Sequence, residues 1–409
     1  MKCGLLGRKL GHSYSPQIHG FLGDYSYQLF EKEPEEVEDF LKNGAFTGLN
    51  VTIPYKKTVI PFLDQLSPTA RKLGAVNTIV RRPDGSLIGH NTDYFGFETM
   101  LKESGLKVAG KKALVLGSGG ASNTAVCVLR EQGAQVIVIS RSGEDNYENL
   151  ARHADAAVIV NATPVGMYPS VDQAPLTLDG FPKLEGVLDV IYNPARTKLL
   201  QDAESRGLAA MNGLLMLVAQ AKESAEWFMG QPISDGKIRE IHQVLRGQME
   251  NIILIGMPGC GKTTIGTLLA RKLNRPFADA DTELEARAGR KITDIIPNDG
   301  EEVFRALETE TLDRLARESG LVIATGGGCV TKERNYPLLH RNGTIVWIQR
   351  DPALLPTDGR PLSQPGKLKK MLEIRGPMYQ FFCDITVVND GLPEEIADRI
   401  LELLREEEA

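Results

Sequence analysis

Two short stretches of this 409-residue chain carry residue types whose spacing implies phosphate chemistry. The first is Gly256-Met-Pro-Gly-Cys-Gly-Lys262-Thr263, a GxxxxGK[ST] pattern that directly follows the apolar run NIILI and opens the helical stretch TIGTLLARKL. Glycines at this spacing let successive backbone N–H groups curl round an anion at a helix N-terminus, where the dipole favours negative charge. In that reading Gly259, Cys260, Gly261 and Thr264 complete the cradle for ATP. Lys262 reaches the β- and γ-phosphates and Thr263 ligates Mg2+. The pattern specifies phosphoryl transfer or hydrolysis and says nothing of the acceptor. A fortuitous glycine turn is the alternative, and the strand before it and the helix after it weigh against that.

The second stretch is Gly117-Ser118-Gly119-Gly120-Ala121-Ser122, between the strand-like KKALVL and an amphipathic helical run. The third glycine of a GxGxxG fingerprint is replaced, yet glycines still separate strand from helix, so a pyrophosphate can sit on the helix N-terminus. The next β-branched run ends in Ser140-Arg141-Ser142. An NAD site would offer an acidic residue there for the ribose hydroxyl, whereas an arginine among hydroxyls suits a 2′-phosphate. The expected cofactor is therefore NADP(H). A plain surface arginine is the alternative, and the nearby Glu144 and Asp145 favour it.

The elements that must position these stretches are legible in outline. Residues 1 to about 95 alternate short apolar runs with turns, with one acidic helical stretch at EEVEDFLKNG, as in a small α/β domain. Residues 111–142 read as a complete βαβ unit, and AAVIVNATPVG and GVLDVIYNP as further strands of the same sheet. Residues 213–246 read as helices, and a fresh strand begins at Asn251, just after Met249. The intervening residues 247–251 read as a short linker, which predicts halves separable at about Gly247.

Composition narrows the function classes. Apolar residues make up 42% and charged residues 24%, an ordinary globular balance. The net charge of −6 divides as −5 over residues 250–409 and −1 over the rest. Neither half has the basic excess of a nucleic-acid binder. The apolar start of the chain is broken by Arg8 and Lys9, unlike a signal peptide, and no apolar run has the length of a membrane span. Cys3, Cys127, Cys260, Cys329 and Cys383 form no CxxC or Cys/His cluster, as expected for reduced thiols in the cytoplasm. A homo-oligomer is compatible with all of this.

After the phosphate loop come, in order, Phe277-Ala-Asp279-Ala-Asp281, Phe304-Arg305-Ala-Leu-Glu308, Ala324-Thr-Gly326-Gly327-Gly328, Gly359-Arg360-Pro361-Leu362 and Arg375-Gly-Pro-Met-Tyr379. Each alone is commonplace. The ordered set resembles shikimate kinase over residues 250–409. The resemblance implies that Arg305 and Arg375 bind the substrate carboxylate, a role for which a forked guanidinium is suited. It also implies that Gly327 approaches the substrate through its backbone and that Asp281 holds ring hydroxyls and accepts the proton of the reacting one. Asp279 would lie near Mg2+ with Thr263, and Arg360 would come in on a lid to steady the transferring phosphoryl group. The bland readings are a surface ion pair for Arg305 and a helix N-cap for Asp279 or Asp281. The stretch DPALLPTDGRPLS departs from the family in being short, with Arg360 its only basic residue.

The first half carries Leu10-Gly-His12-Ser13-Tyr-Ser15-Pro16, Gly48-Leu-Asn50-Val-Thr52-Ile-Pro54-Tyr-Lys56, Gly74-Ala-Val-Asn77-Thr78 and Asn91-Thr92-Asp93. Asn161-Ala-Thr163-Pro, Tyr192-Asn-Pro and Gly213-Leu-Leu-Met216-Leu-Val-Ala-Gln220 follow. This series resembles shikimate dehydrogenase over about residues 2–246. Reducing a ring ketone needs a hydride to carbon and a proton to oxygen, and Lys56 with Asp93 is the pair in these motifs that suits the proton. The resemblance implies that Ser13, Ser15 and Thr52 bind the carboxylate, that Asn77 and Gln220 take ring hydroxyls, that Tyr192 lies near the substrate and the nicotinamide, and that Gly213 belongs to the cofactor site. His12 and His19 read as structural.

Together these resemblances predict an α/β chain of three domains. Residues 1–98, with helices 224–246 packing back, would bind the dehydrogenase substrate; residues 99–223 would form a Rossmann-like NADP domain; and residues 250–409 would form a P-loop kinase domain with a parallel sheet. The expected chemistry is reduction of 3-dehydroshikimate to shikimate, then phosphorylation of shikimate. Rival readings are a quinate/shikimate dehydrogenase joined to another small-polyol kinase, or a regulator with one inactive half.

Overall fold

The computed structural model describes residues 1–11, 13–355 and 365–406, the side chains of 365–367 excepted. Arg360 and His12 therefore lie outside the described residues. The chain divides into two compact units, one of residues 1–192 with 197–244 and the other of residues 193–196 with 245–409. Among the described residues the strands form three sheets, two in the first unit and one in the second.

The first sheet takes β1 (Lys2–Gly7), β2 (Ser26–Glu31), β3 (Gly48–Val51), β4 (Gln65–Leu66), β5 (Thr78–Arg81) and β6 (Leu87–His90) in the order β2-β1-β3-β5-β6-β4. It is mixed, because β5 runs antiparallel to both of its neighbours. Helices α1 (Ser15–Leu22), α2 (Val37–Asn43) and α3 (Pro68–Leu73) connect its strands, and α4 (Asp93–Glu103) leads out of it. Leu6, Leu41, Leu49, Val51, Tyr55 and Ile79 fill its core.

The second sheet is wholly parallel, in the order β11-β10-β9-β7-β8. Its strands are β7 (Lys112–Leu116), β8 (Gln135–Ile139), β9 (Val158–Asn161), β10 (Gly186–Asp189) and β11 (Ala209–Met211), with helices α5 (Gly120–Glu131) and α6 (Lys198–Ser205) between them. Alternate residues of a strand point to opposite faces. Ala113 and Val115 accordingly pack with α4 and α5, while Leu114 and Leu116 pack on the opposite face with Leu199, Leu200 and Ala203 of α6. Both faces are covered, which is why β7 and β9 read as continuous apolar runs. Helix α7 (Leu214–Met229) then crosses back to pack on α1 and α4, so residue 224 falls inside one helix and not at its start.

Helix α8 (Gly236–Met249) runs through Gly247, and Glu250 alone separates it from β12 (Asn251–Ile255). The third sheet is parallel, in the order β13-β14-β12-β15-β16. Its further strands are β13 (Phe277–Asp279), β14 (Val322–Ala324), β15 (Gly343–Gln349) and β16 (Ile385–Val388). The helices are α9 (Lys262–Leu273), α10 (Ala280–Ala288), α11 (Ile292–Asp299), α12 (Glu301–Ala316), α13 (Asn335–His340), α14 (Pro365–Phe382) and α15 (Pro393–Glu406). Ile253, Leu254, Ile345 and Val346 are fully buried in one core with Leu269, Tyr379 and Ile396. Each such side chain contributes about 1.5–3 kcal/mol of burial, enough to hold the strand ends that carry the second site.

Candidate active sites

In the first unit the chain leaves β3 at Thr52, whose N–H is bonded to the Leu6 carbonyl of β1 at 2.9 Å. It then turns so that Tyr55 is buried and Lys56 emerges; the Lys56 carbonyl is held by the Val76 N–H at 2.7 Å. Asp93 is the first residue of α4, and the segment before it is fixed from the side. The Asn77 carboxamide accepts from the Thr92 N–H at 2.7 Å and donates to the Thr92 hydroxyl at 3.1 Å, while Asn91 donates to the Ala75 carbonyl. These bonds bring Lys56 Nζ to 2.6 Å from Asp93 Oδ2, with side chains 28% and 15% exposed. A lysine–carboxylate pair that is partly buried yet open to a ligand can deliver a proton and hold the resulting hydroxyl.

Other predicted residues have local partners of their own. Ser13 Oγ accepts the Ser15 N–H at 3.2 Å just ahead of α1, and the Tyr14 ring between them lies edge-on to Tyr192 at 6.2 Å. Burial raises the hydroxyl pKa of both tyrosines, so both remain protonated donors. Gln220 sits on α7 where Gly96, one turn into α4, lies against its Cβ. Its amide donates to the Leu217 carbonyl. His19 is buried, stacked on Tyr27 at 4.1 Å and bonded to the Tyr25 hydroxyl at 2.7 Å; burial pushes it down to about 3, a neutral packing residue.

The glycine turn after β7 suits a dinucleotide phosphate. Gly117 has φ +104°, and a Cβ there would lie 3.1 Å from the Ala162 carbonyl. Gly119 and Gly120 are exposed, and Ala121 half-buried, at the start of α5. Ser122 stands where the fingerprint has its third glycine; it is buried, and its hydroxyl donates back to the Gly117 carbonyl at 2.6 Å. The serine thus closes the turn that a glycine would merely permit. Arg141 and Ser142 are exposed beyond the end of β8, with Ser140 half-buried before them. The Asp145 carboxylate is engaged by His153 at 2.8 Å, so one of the two acids that could oppose a 2′-phosphate already has a partner. Gly213 has a packing reason of its own, because a Cβ there would fall 2.1 Å from the Val190 carbonyl.

In the second unit the glycine loop follows β12 at the centre of the sheet. Gly261, with φ +104°, caps α9, and Lys262 opens it. The Lys262 ammonium is buried within its own loop, 2.8 Å from the Gly256 carbonyl and 3.0 Å from that of Met257. Thr263 Oγ1 lies 2.8 Å from Asp279 Oδ2, an oxygen pair of the type that Mg2+ prefers. The other Asp279 oxygen accepts the N–H groups of Asp281 and Thr282, so Asp279 is a helix N-cap as well.

Asp281, Arg305, Gly326–Gly328 and Arg375 converge beside this loop. A Cβ on Gly326 would meet Asp281 and Glu308, one on Gly327 would meet Pro258 of the loop, and one on Gly328 would meet the Arg305 guanidinium. Arg375 donates to the Gly327 carbonyl at 2.9 Å, and the Tyr379 hydroxyl donates to the same oxygen. Glu308 pairs with Arg305 at 2.8 Å, while Arg305 Nε and Glu308 Oε1 are buried without a partner among the described residues. Burial, with Asp279 close by, holds the Asp281 carboxyl above its ordinary range.

Comparison with known proteins fits both sites. Residues 5–79 match the family model of the shikimate dehydrogenase substrate binding domain, and residues 258–405 match that of shikimate kinase. The shikimate dehydrogenase (NADP(+)) of Clostridium beijerinckii is 37% identical over 244 residues, covering 54% of this chain and 90% of that protein. The chain belongs to the shikimate dehydrogenase family, with a shikimate kinase domain joined to it. Among solved structures, shikimate dehydrogenase 1 from Peptoclostridium difficile superposes with a TM-score of 0.55 at 38% identity, covering 60% of this chain and 97% of that one. The Thermus thermophilus enzyme in complex with NADP(H) and shikimate gives 0.54 at 31% identity, covering 60% and 99%.

Reading the sequence did not foresee the polar layer beneath the dehydrogenase pair. Ser224 of α7 bonds the hydroxyls of Thr78 and Thr92 and the Asn50 amide, all within 2.9 Å, and Asn50 in turn accepts from Tyr27 at 2.8 Å. Asn50, Thr78 and Thr92 stand inside recognisable motifs, but nothing local marks Ser224. In the kinase domain Glu308 and Tyr379 were visible as motif letters, without any sign that each would hold a neighbour of the acceptor cluster.

Proposed function

We propose that this chain catalyses two consecutive reactions, reduction of 3-dehydroshikimate to shikimate with NADPH and phosphorylation of shikimate with ATP and Mg2+. The observation that carries the reading is the presence on one chain of two arrangements suited to one oxygen atom. The Lys56–Asp93 pair at 2.6 Å is suited to making that hydroxyl from a ketone, and the acidic and basic cluster around Gly326–Gly328 to phosphorylating it. Domain limits follow the same division: residues 1–98 with the C-terminal helices for the dehydrogenase substrate, 99–223 for NADP(H), and 250–409 for the kinase.

In the first reaction NADPH, when bound, supplies the hydride. Gly117–Ala121, the strand end Ser140–Ser142 and Gly213 would hold it, with Arg141 for the 2′-phosphate. Lys56 gives its proton to the ketone oxygen as charge develops there, and the hydroxyl so formed donates a hydrogen bond to Asp93. Ser13, Ser15 and Thr52 bind the carboxylate; Asn77 and Gln220 orient the ring hydroxyls, and Tyr192 closes the side nearest the nicotinamide.

In the second reaction Asp281 accepts the proton of the attacking hydroxyl, and its raised pKa makes it a stronger base than an exposed aspartate. Arg305 and Arg375 hold the carboxylate, Arg305 Nε, which has no partner among the described residues, being a spare donor for it. Thr263 and Asp279 would hold Mg2+, whose charge offsets that of the phosphates when it is bound. Lys262 and the loop N–H groups bind the β- and γ-phosphates.

The five cysteines are free thiols, and no helix among the described residues is long and apolar enough to cross a membrane. We place the enzyme in the cytoplasm on the thiols. The test is to supply purified protein with 3-dehydroshikimate, NADPH, ATP and Mg2+ and to follow NADPH loss and ADP formation together. ADP should appear only when NADPH is present or shikimate is added directly. ADP formation independent of both, or reduction of a quinate-type ketone in preference, would overturn the reading.

A further inference from the structure

We propose that Asp189 is a positioning residue for the nicotinamide end of NADP(H), its buried carboxylate locking together the loops that follow β9 and β10. The proposal rests on the dehydrogenase reading above and adds to it a residue that acts through others.

Strand order says where that end must lie. In the order β11-β10-β9-β7-β8, the glycine turn follows β7 and Ser140–Ser142 follow β8. Ligands of open parallel sheets lie outside the carboxyl ends of the strands. A dinucleotide with its 2′-phosphate beyond β8 and its pyrophosphate beyond β7 must therefore extend its other end beyond β9 and β10. Those strands lie about 5 and 10 Å from β7 at ordinary strand spacing.

Asp189 is the last residue of β10 and Asn161 the last of β9; they are paired in register and both wholly buried. The Asn161 amide donates to both Asp189 oxygens at 3.1 Å. Asp189 Oδ1 also accepts the Ile191 N–H at 3.0 Å, and Oδ2 accepts the Thr197 hydroxyl at 2.8 Å. With its amide so fixed, Asn161 turns its own oxygen to the Thr163 N–H at 3.1 Å and the Thr163 hydroxyl at 2.7 Å. The turn held in this way lies against the phosphate loop, where a Cβ on Gly117 would fall 3.0 Å from the Thr163 methyl. On the β10 side the Ile191 carbonyl accepts the Gly213 N–H at 3.0 Å, so the same carboxylate fixes the segment that carries Tyr192 and backs Gly213. All four contacts to Asp189 come from neutral donors, and burial pushes the carboxyl up to about 6. Burying an acid among neutral groups is costly, and an asparagine would fill the same space without that cost. An asparagine has only one acceptor oxygen, however, and must turn an NH2 toward two of these donors. Two acceptor oxygens hold both loops at once.

The test uses the full chain carrying Asp189→Asn and measures binding as well as rate. Affinity for NADPH should fall about tenfold, while affinity for adenosine 2′,5′-bisphosphate, which lacks the nicotinamide, and for shikimate should stay within about twofold. Reduction should slow by about tenfold or more, with a larger isotope effect from NADPH deuterated at the transferred position, because a misplaced ring makes hydride transfer the slow step. Thr163→Val keeps the carboxylate and frees the far end of the turn, and it should show the same selective loss. Unchanged NADPH affinity in Asp189→Asn overturns the proposal. It also falls if Asp189→Asn weakens all three ligands equally and Thr163→Val is selective for none, since the carboxylate would then serve stability alone. Should the wild-type chain bind NADPH yet fail to reduce 3-dehydroshikimate, the dehydrogenase reading fails, while a selective loss of NADPH affinity still supports the role of Asp189.

Discussion

Replacing Gly326 by alanine tests the acceptor cluster of the kinase domain without adding or removing any charged group. Gly326 has no positive φ, so alanine meets no backbone penalty there, and the effect is one of space. The new Cβ would lie 2.7 Å from Glu308 Oε1 and 2.8 Å from Asp281 Oδ1. A carbon and a carboxylate oxygen ordinarily keep roughly 3.4 Å, so each oxygen must retreat by about 0.6–0.7 Å. A reacting group displaced by about 1 Å can cost on the order of a hundredfold in rate, so a shift of this size predicts a fall in kcat for phosphorylation of about ten- to a hundredfold. Gly328→Ala makes a contrasting pair, since its Cβ would press on both terminal nitrogens of Arg305, a residue assigned to the remote carboxylate. That variant should act mainly through KM for shikimate. The assay is steady-state ADP formation with shikimate and ATP varied separately, with reduction of 3-dehydroshikimate as the internal control. If Gly326→Ala, still reducing normally, keeps kcat for phosphorylation within about threefold of wild type, Asp281 is not acting on the reacting hydroxyl.

Other outcomes follow from the same geometry. Lys56→Ala should lower kcat for NADPH-dependent reduction by about 10²–10⁴-fold and leave phosphorylation intact, measured by NADPH absorbance and ADP release on one preparation. Arg141→Ala should raise KM for NADPH far more than KM for NADH, because the 2′-phosphate is present on the first alone; an equal change would count against the NADP(H) contact. Burial pushes Asp189 up to about 6 despite bonds from Asn161, Thr197 and the Ile191 N–H. The folded state therefore holds this proton more tightly than the unfolded chain, so stability gained by protonation is lost as pH rises from the ordinary carboxylate range through about 6. Thermal scans of wild type and Asp189→Asn between pH 4.5 and 7.5 should differ by about 3 kcal/mol at most, the wild type losing more as pH rises.

What could be read from the sequence was what local rules govern. The P-loop needs closely spaced glycines and a lysine between a strand and a helix, and the chain supplies them within eight residues. The doubly covered sheet announced itself in the continuous apolar runs of β7 and β9, since a strand buried on both faces has no polar alternation. The supports of the sites were harder to read, because they join positions far apart. Ser224 meets Asn50 across 174 residues and Thr78 across 146, and a serine within a helical run has no feature that distinguishes it from a solvent-facing one. Asp145 gives the opposite lesson. As a letter it argued against a 2′-phosphate site; in the fold its carboxylate is hydrogen-bonded to His153.

The junction shows where composition misleads. Gly247 and the polar residues round it read as a linker, and a linker invites cutting. Helix propensity is a weak prior, and one glycine costs only about 1 kcal/mol in a helix that packing supports. Packing decides here: Ile238, Ile241, Leu245 and Met249 recur at helical spacing along α8, and all four are buried. Val244 ends the first compact unit and Leu245 begins the second, so the division falls within a helix and not within a loop. The last turn is also tied to the kinase unit through its carbonyls, the Gly320 N–H donating to that of Met249 at 3.0 Å and the Arg275 guanidinium to that of Glu250 at 3.1 Å. Glu250 further accepts from Arg246 at 2.9 Å and from Thr344 at 3.3 Å. A kinase fragment beginning at Met249 would lose Leu245 and Arg246 and expose the start of β12. The proposed domain limit at 250 is therefore a limit of chemistry, where one motif series ends and the next begins. As a limit of folding, the kinase unit reaches back at least to Leu245, because its first strand is stabilised by a turn of helix that the sequence had assigned to the other enzyme.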